Sequence, residues 1–181
     1  MAWDIILPRG NEEEFANVAK KLGYKGLICV GKKKDVKTVI PLIWTSDIQK
    51  ANDKLRGMIE MRKAKLIYDI EMVARKDYIH HRGSGLNQVL AALMHKREIG
   101  CAFAFSNLLH AEPYKRGQIL GRMQMTIDLC RTYKVPIVLA SFATRPLELR
   151  SPRDLKTFSS HLGMHVQDYL DGQAWLEDKF I

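Results

Sequence analysis

The chain reads as an α/β protein, a distorted or incomplete TIM-like (β/α) barrel with about seven parallel strands. Three observations predict this. Short, continuously apolar runs recur along the chain, GLICV at 26–30, CAFAF at 101–105 and VPIVLAS at 135–141; strands covered on both faces have this composition. Between them lie segments with apolar residues at helical spacing, as parallel strands joined by crossover helices require. No GxGxxG or Walker loop follows the first strand, which favours a barrel over a doubly wound sheet with its ligand at a switch point.

The first strand is WDIIL at 3–7, ended by Pro8-Arg9-Gly10. Asn11 is positioned to cap the next helix, with Glu12, Glu13 and Glu14 complementing its dipole. Phe15, Val18, Ala19 and Leu22 form its buried face, and Gly23 stops it. After the second strand at 26–30, Gly31-Lys32-Lys33-Lys34-Asp35 is a polar loop, either a solvated turn or a phosphate-contacting one. Residues 37–45 read as a third strand, with Pro41 marking an edge, bulge or break. Ser46 then caps a helix in which Ile48, Ala51, Leu55, Met58 and Ile59 keep the helical period.

A fourth strand at 65–70 is interrupted by Asp69, and a short fifth is expected at 78–81. The turn Arg82-Gly83-Ser84-Gly85 opens a helix with Ser84 as N-cap, Asn87 bonding back towards it, and Leu86, Val89, Leu90, Leu93 and Met94 on the buried face. The strand at 101–105 runs through a polar loop, Ser106-Asn107 to Pro113, into a long helix at about 114–133. After the seventh strand at 135–141, Ser151-Pro152-Arg153-Asp154 is a strong helix start. The tail carries Tyr169, Leu170, Trp175 and Leu176, a last helix that packs back or onto a partner.

The length of 181 residues fits one domain, 1–181, with 164–181 as an acidic amphipathic C-terminal extension. The formal charge of +9 and pI near 9.5 suit a polyanionic partner. The tail holds Asp168, Asp171, Glu177 and Asp178 against Lys179, so the body is more basic than the whole. Cys29, Cys101 and Cys130 lie in apolar surroundings without CxxC spacing, which argues for a reducing compartment and against disulfides or a zinc ribbon. With no basic apolar leader and no span long enough for a bilayer, the expectation is a cytoplasmic protein without a membrane partner.

No metal motif stands out. His161 and His165 are separated by Gly163 and lack an HExxH glutamate; the adjacent His80 and His81 point to opposite faces of a strand. Ser106 and Ser141 follow strands but sit in no GxSxG. Basic residues, in contrast, recur where strands end: Lys32, Lys33 and Lys34, then Arg82, Arg116, Arg145, Arg150 and Arg153. In a barrel they converge on one face, and guanidinium and ammonium groups there match a phosphate backbone. Aromatics near it are few, Phe142 and Tyr114, which fits recognition of RNA shape more than sequence.

The stretches HRGSGLNQVLA, AFSN, VPIVLASFA and LRSPRDL with the following LGM, in this order and spacing, resemble the archaeal ribonuclease P protein component 3 family. That family is related to the eukaryotic thirty-kilodalton ribonuclease P subunit. The resemblance implies a barrel like that of the PHP phosphoesterases, and an RNA-binding subunit that supports a catalytic RNA in removing the 5′ leader of precursor tRNA. It implies as partners ribonuclease P RNA, precursor tRNA, protein component 2 and other holoenzyme proteins. It also implies no cofactor in the subunit, with Mg2+ serving the holoenzyme RNA. Arg82 and Arg150 would then face RNA, while Ser84, Asn87 and Asp154 support or cap. The PHP relatives carry an HxH metal pair on their first strand, where this chain reads Ala2-Trp3-Asp4. A free-standing PHP-like metal-dependent phosphoesterase is the competing reading. The leading one is catalytic only as part of the endoribonuclease holoenzyme.

Overall fold

A computed structural model describes residues 2–73, 76–77 and 82–181. The expected strand at 78–81, with His80 and His81, lies outside the described residues. Among the described residues seven strands are present, all pairing in parallel: β1 (Ala2–Ile6), β2 (Tyr24–Val30), β3 (Leu42–Thr45), β4 (Ile48–Lys50), β5 (Leu66–Tyr68), β6 (Gly100–Ala104) and β7 (Ile137–Ala140). The helices are α1 (Glu12–Leu22), α2 (Leu55–Glu60), α3 (Gln88–Lys96), α4 (Phe105–His110), α5 (Pro113–Thr132), α6 (Pro152–His161) and α7 (Val166–Phe180).

The strands form two sheets, β1-β2-β3 and β4-β5-β6-β7. The chain just beyond β7 ties them together: Phe142 N–H donates to Ile5 at 2.8 Å, and Leu7 N–H to Ala143 at 2.9 Å. Across the other seam, β3 and β4 are not paired. One buried cluster draws on strands of both sheets, with Trp3, Ile5, Ile28, Ile48, Leu66, Ala102 and Val138 together and Ile43 packed against them. Helices cover the outer faces. The α1 residues Phe15, Ala16 and Ala19 pack on Leu27 and Cys29, while α2, α3, α5 and α6 cover Ile67, Cys101 and Leu139.

Several elements differ from the sequence reading. Residues 37–41 are not strand, and pairing begins only at Leu42, just past Pro41. The helix expected from Ser46 starts at Leu55; Ile48 belongs instead to β4, where it is 2% exposed. The spacing of Ile48, Ala51 and Leu55 mimics a helix because each is buried for a different reason. β5 stops at Tyr68, since Asp69 takes a left-handed backbone (φ 62) and leaves the ladder. Asn11 does not cap α1; its carboxamide oxygen accepts from Arg9 N–H and its NH2 donates to Thr144. The Ser106-Asn107 segment is not a loop but the start of α4.

The acidic tail packs back. Gly172 brings α7 against the Ile137 carbonyl, where any side chain would collide. Trp3 N–H donates to Gln173 at 2.9 Å and Trp3 Nε1 to Glu177 at 3.0 Å. Lys25 pairs with Glu177 and Arg131 with Asp168. No helix among the described residues is long and apolar enough to cross a membrane.

Candidate nucleic-acid interface

Parallel strands place all their following loops at one end of a sheet, so the residues after β1, β2, β4, β5, β6 and β7 share a face. The short helix α4 organises it. Its Asn107 donates to Asp69 after β5 at 2.7 Å, and Asp69 also holds Lys50, the last residue of β4, at 3.2 Å. Burial raises the Asp69 carboxyl above its ordinary range, while Asn107 and Lys50 act against that rise. At the other end of α4, His110 approaches Glu148 at 3.2 Å.

Glu148 gathers the loop after β7. Its carboxylate accepts from the N–H groups of Thr144 and Arg145 and from the Arg145 guanidinium at 2.7 Å. Burial alone would raise its pKa, but these donors overcome it and hold the group down to about 2. Arg145 is therefore a fixed cation with an exposed side chain. Arg150 donates to the Leu147 and Leu149 carbonyls and lies over the Phe105 ring, 5.6 Å from its centroid. Arg116 donates to the Leu108 and Ala111 carbonyls, holding the end of α4. An open cavity of about 310 Å³ lies between Arg145, Arg150, His110 and Leu147.

On the flank formed by β1 and β2, Lys34 pairs with Glu12 and lies 5.5 Å over the Trp44 ring. That pairing, against the cost of burial, draws the Glu12 carboxyl below its ordinary value. Lys32 and Lys33 are exposed beside it. Asn11 joins this flank to the β7 loop through Thr144. Thus Lys32, Lys33, Lys34, Arg116, Arg145 and Arg150 all lie at the carboxyl end of the strands. Arg153 is exposed at the start of α6.

Arg82 belongs to a different neighbourhood. Its guanidinium packs onto α5 at Gly121, where a Cβ would take its place. Beside it, Asp77 accepts from Arg122 Nε at 3.0 Å and from Gly83 N–H at 2.7 Å. The Arg122 bond, opposed by burial and reinforced by Gly83 and by the charge of Arg82, lowers the Asp77 pKa. Sequence reasoning missed Gly121, Asp77 and Arg122. One signal was available: Arg122 falls within the apolar stripe of Ile119, Met123 and Ile127, and only a paired cation is stable there.

The supporting residues are also redistributed. Asn87, not Ser84, caps α3, accepting from Leu90 N–H at 2.9 Å. Ser84 is buried and directs its hydroxyl to the Leu86 carbonyl. The reason is Gly85, whose left-handed backbone (φ 79) lies against the Ile70 carbonyl and turns the chain once more before the helix begins. Ser151 caps α6 by accepting from Asp154 N–H at 3.1 Å, as its sequence suggests. The Asp154 carboxylate stands in the first turn, where the helix dipole favours it. Phe142 cannot stack on a base: it is fully buried and stacked on Tyr68. Tyr114 is 81% exposed.

Two buried carboxyls line the interior rather than the rim. Burial pushes Asp4 up to about 6, although Ile5 and Ser141 N–H groups donate to its Oδ1. Burial and the charge of Asp69 push Glu71 up to about 8, and among the described residues neither of its oxygens has a hydrogen-bond partner. Among the described residues, no three His, Cys, Asp or Glu side chains come together to hold a metal ion.

Residues 64–168 match the family described as RNase P subunit p30. The chain belongs to that family. Ribonuclease P protein component 3 of Methanosarcina mazei is 26% identical over 197 residues, covering 93% of this chain and 82% of that protein. The protein of the same name from Thermococcus kodakarensis is 37% identical over 84 residues, 46% of this chain and 38% of its own length. That from Thermococcus gammatolerans is 34% identical over 96 residues, 53% of this chain and 42% of its own. Among solved structures, a chain of archaeal ribonuclease P with mature tRNA superimposes with a TM-score of 0.67 at 17% identity. It covers 96% of this chain and 88% of that one, which shows the fold. The family match includes Arg82, Arg116, Arg145, Arg150 and Arg153 but not Lys32, Lys33 or Lys34.

Proposed function

We propose that the chain is an RNA-binding protein subunit of ribonuclease P, the endoribonuclease that removes the 5′ leader of precursor tRNA. Its partners are the catalytic RNA, protein component 2 and the other holoenzyme proteins, in the cytoplasm. The RNA subunit performs the cleavage with Mg2+, and the isolated chain is not catalytic. Family membership carries the reading, and the cationic rim at the carboxyl end of the strands supports it chemically. We also propose that the two sheets are the halves of an incomplete barrel. Its support is the link from the β7 extension to β1 and the interior cluster shared between the sheets.

On this face Arg145 and Arg150 are held by protein acceptors at fixed orientations, so little side-chain entropy is lost when a phosphate binds. Lys32, Lys33 and Arg153 extend the positive field. Arg82, pinned on α5, adds a cation beside the α3 entry. The test is the salt dependence of RNA binding. Arg145→Ala and Arg150→Ala should each flatten the slope of log K against log salt by about one phosphate contact. Unchanged slopes in both would remove this face from the RNA contact.

A further inference from the structure

A second cationic cavity lies at the opposite end of the sheet, where β5 and β6 begin. Its volume is about 320 Å³, and its walls include Arg62, Lys65, Arg97 and Lys179 with Glu98 as the single acid. Arg62 sits just before β5 and Arg97 just before β6, on loops that share the register Leu66↔Gly100. Left-handed backbone at Arg62 (φ 48) and Glu98 (φ 57) fixes both loops.

Two of the four cations are already engaged. Lys65 pairs with Asp47 at 3.0 Å and lies over the Phe180 ring; Lys179 pairs with Asp178 at 3.1 Å. No ion pair among the described residues joins Arg62 or Arg97, and Arg97 Nε is buried without a hydrogen-bond partner. A buried guanidinium N–H without an acceptor is rare, because a water-facing bond has been given up for nothing. A tetrahedral oxyanion in the cavity neutralises the surplus charge, and a turn of the half-buried Arg97 side chain brings Nε–H to it as a donor. Arginine forks match it in geometry, donating to two oxygens at once.

We propose that this cavity binds a phosphate of an RNA backbone, a second contact on the face opposite the carboxyl-end rim. RNA is favoured over a protein carboxylate because the positive charge does not stop at the cavity. The exposed Lys63 and Lys96 continue it along both loops, as a polymer with a charge at every residue would use. The subunit then bridges two stretches of RNA backbone. The inference rests on the reading of the chain as an RNA-binding subunit.

The Arg97 Nε–Hε resonance of the labelled full-length chain reports on the site directly. It should shift on adding a short RNA duplex or inorganic phosphate, and should stay in place with chloride at equal ionic strength. The double variant R62Q/R97Q should lower the salt slope of RNA binding by about two phosphate contacts. A resonance unmoved by RNA overturns the proposal, as does one moved by phosphate but not by RNA. A larger shift with polyglutamate than with RNA also overturns it, and assigns the cavity to an acidic protein. If Arg145→Ala and Arg150→Ala flatten the slope while Arg97 stays unmoved, this inference alone fails. If the chain binds no RNA at all, the proposed function fails with it.

Discussion

The Arg82 guanidinium occupies the space above Gly121 that a Cβ would fill. A long helix interior is a costly place for glycine, which is about 1 kcal/mol worse there than alanine. Here the missing side chain is what lets the segment carrying Arg82 lie against α5. α5 contains a second glycine, Gly117, with nothing within 4 Å of a would-be Cβ. The two substitutions should therefore diverge. Gly117→Ala should stabilise by about 0.5–1 kcal/mol. Gly121→Ala should displace the exposed Arg82 guanidinium, gain less stability than Gly117→Ala, and weaken RNA binding as Arg82→Ala does. Denaturant midpoints and RNA affinity for the three variants check this; equal stabilisation by both alanines would contradict it.

The entry to α3 yields a sharper test of local structure. Because Asn87 accepts from Leu90 N–H, Asn87→Ala should cost about 1 kcal/mol, the usual loss of a helix N-cap. Asn87→Asp, which keeps an acceptor, should recover most of it. Ser84→Ala removes only a long 3.4 Å bond to the Leu86 carbonyl and should cost less. Urea unfolding ranks the three, and a larger loss at Ser84 would restore it as the cap.

The difference between Ser84 and Asn87 shows how far sequence can be read. Both residues are good caps, and their spacing suits a capping box. Only the collision that any side chain at Gly85 would make with Ile70 decides between them. Strands β6 and β7 were legible because each is apolar throughout, and β2 because its 26–30 stretch is. β4 was not, because in Ile48–Lys50 only Ile48 is apolar, and its spacing to Ala51 and Leu55 is helical by coincidence. The rim was legible as a series of basic residues after strands. Its organisers were not: Glu148 and Asn107 act through contacts with distant segments, and the Arg82–Gly121 approach joins positions that no local pattern relates.

Glu71 makes stability depend on pH in a definite direction. Its folded pKa, about 8, lies above the ordinary 4.5, so the folded state retains a proton that the unfolded chain releases. Its contribution is full below about pH 4.5 and is lost as pH rises towards 8. Glu71→Gln should match the parent near pH 4 and exceed it increasingly up to pH 8, by at most about 1.4 kcal/mol per unit. Asp4→Asn should show the same sign with its gain complete by about pH 6. Both N–H bonds fall on Asp4 Oδ1, so asparagine can retain them. Thermal unfolding across pH separates the two breaks; parallel curves would refute the assignment.

Reconstitution tests the central claim most directly. Ribonuclease P RNA is combined with protein component 2, with and without this chain, and 5′-leader removal from precursor tRNA is followed as Mg2+ is lowered. The proposed function predicts that adding the chain restores cleavage at Mg2+ concentrations where the mixture without it is inactive, and that Arg145→Ala with Arg150→Ala removes much of this gain. The chain by itself should hydrolyse no phosphoester with divalent metal. Cleavage indifferent to the chain, or metal-dependent phosphoesterase activity of the chain alone that is lost on substituting Asp4, would contradict it.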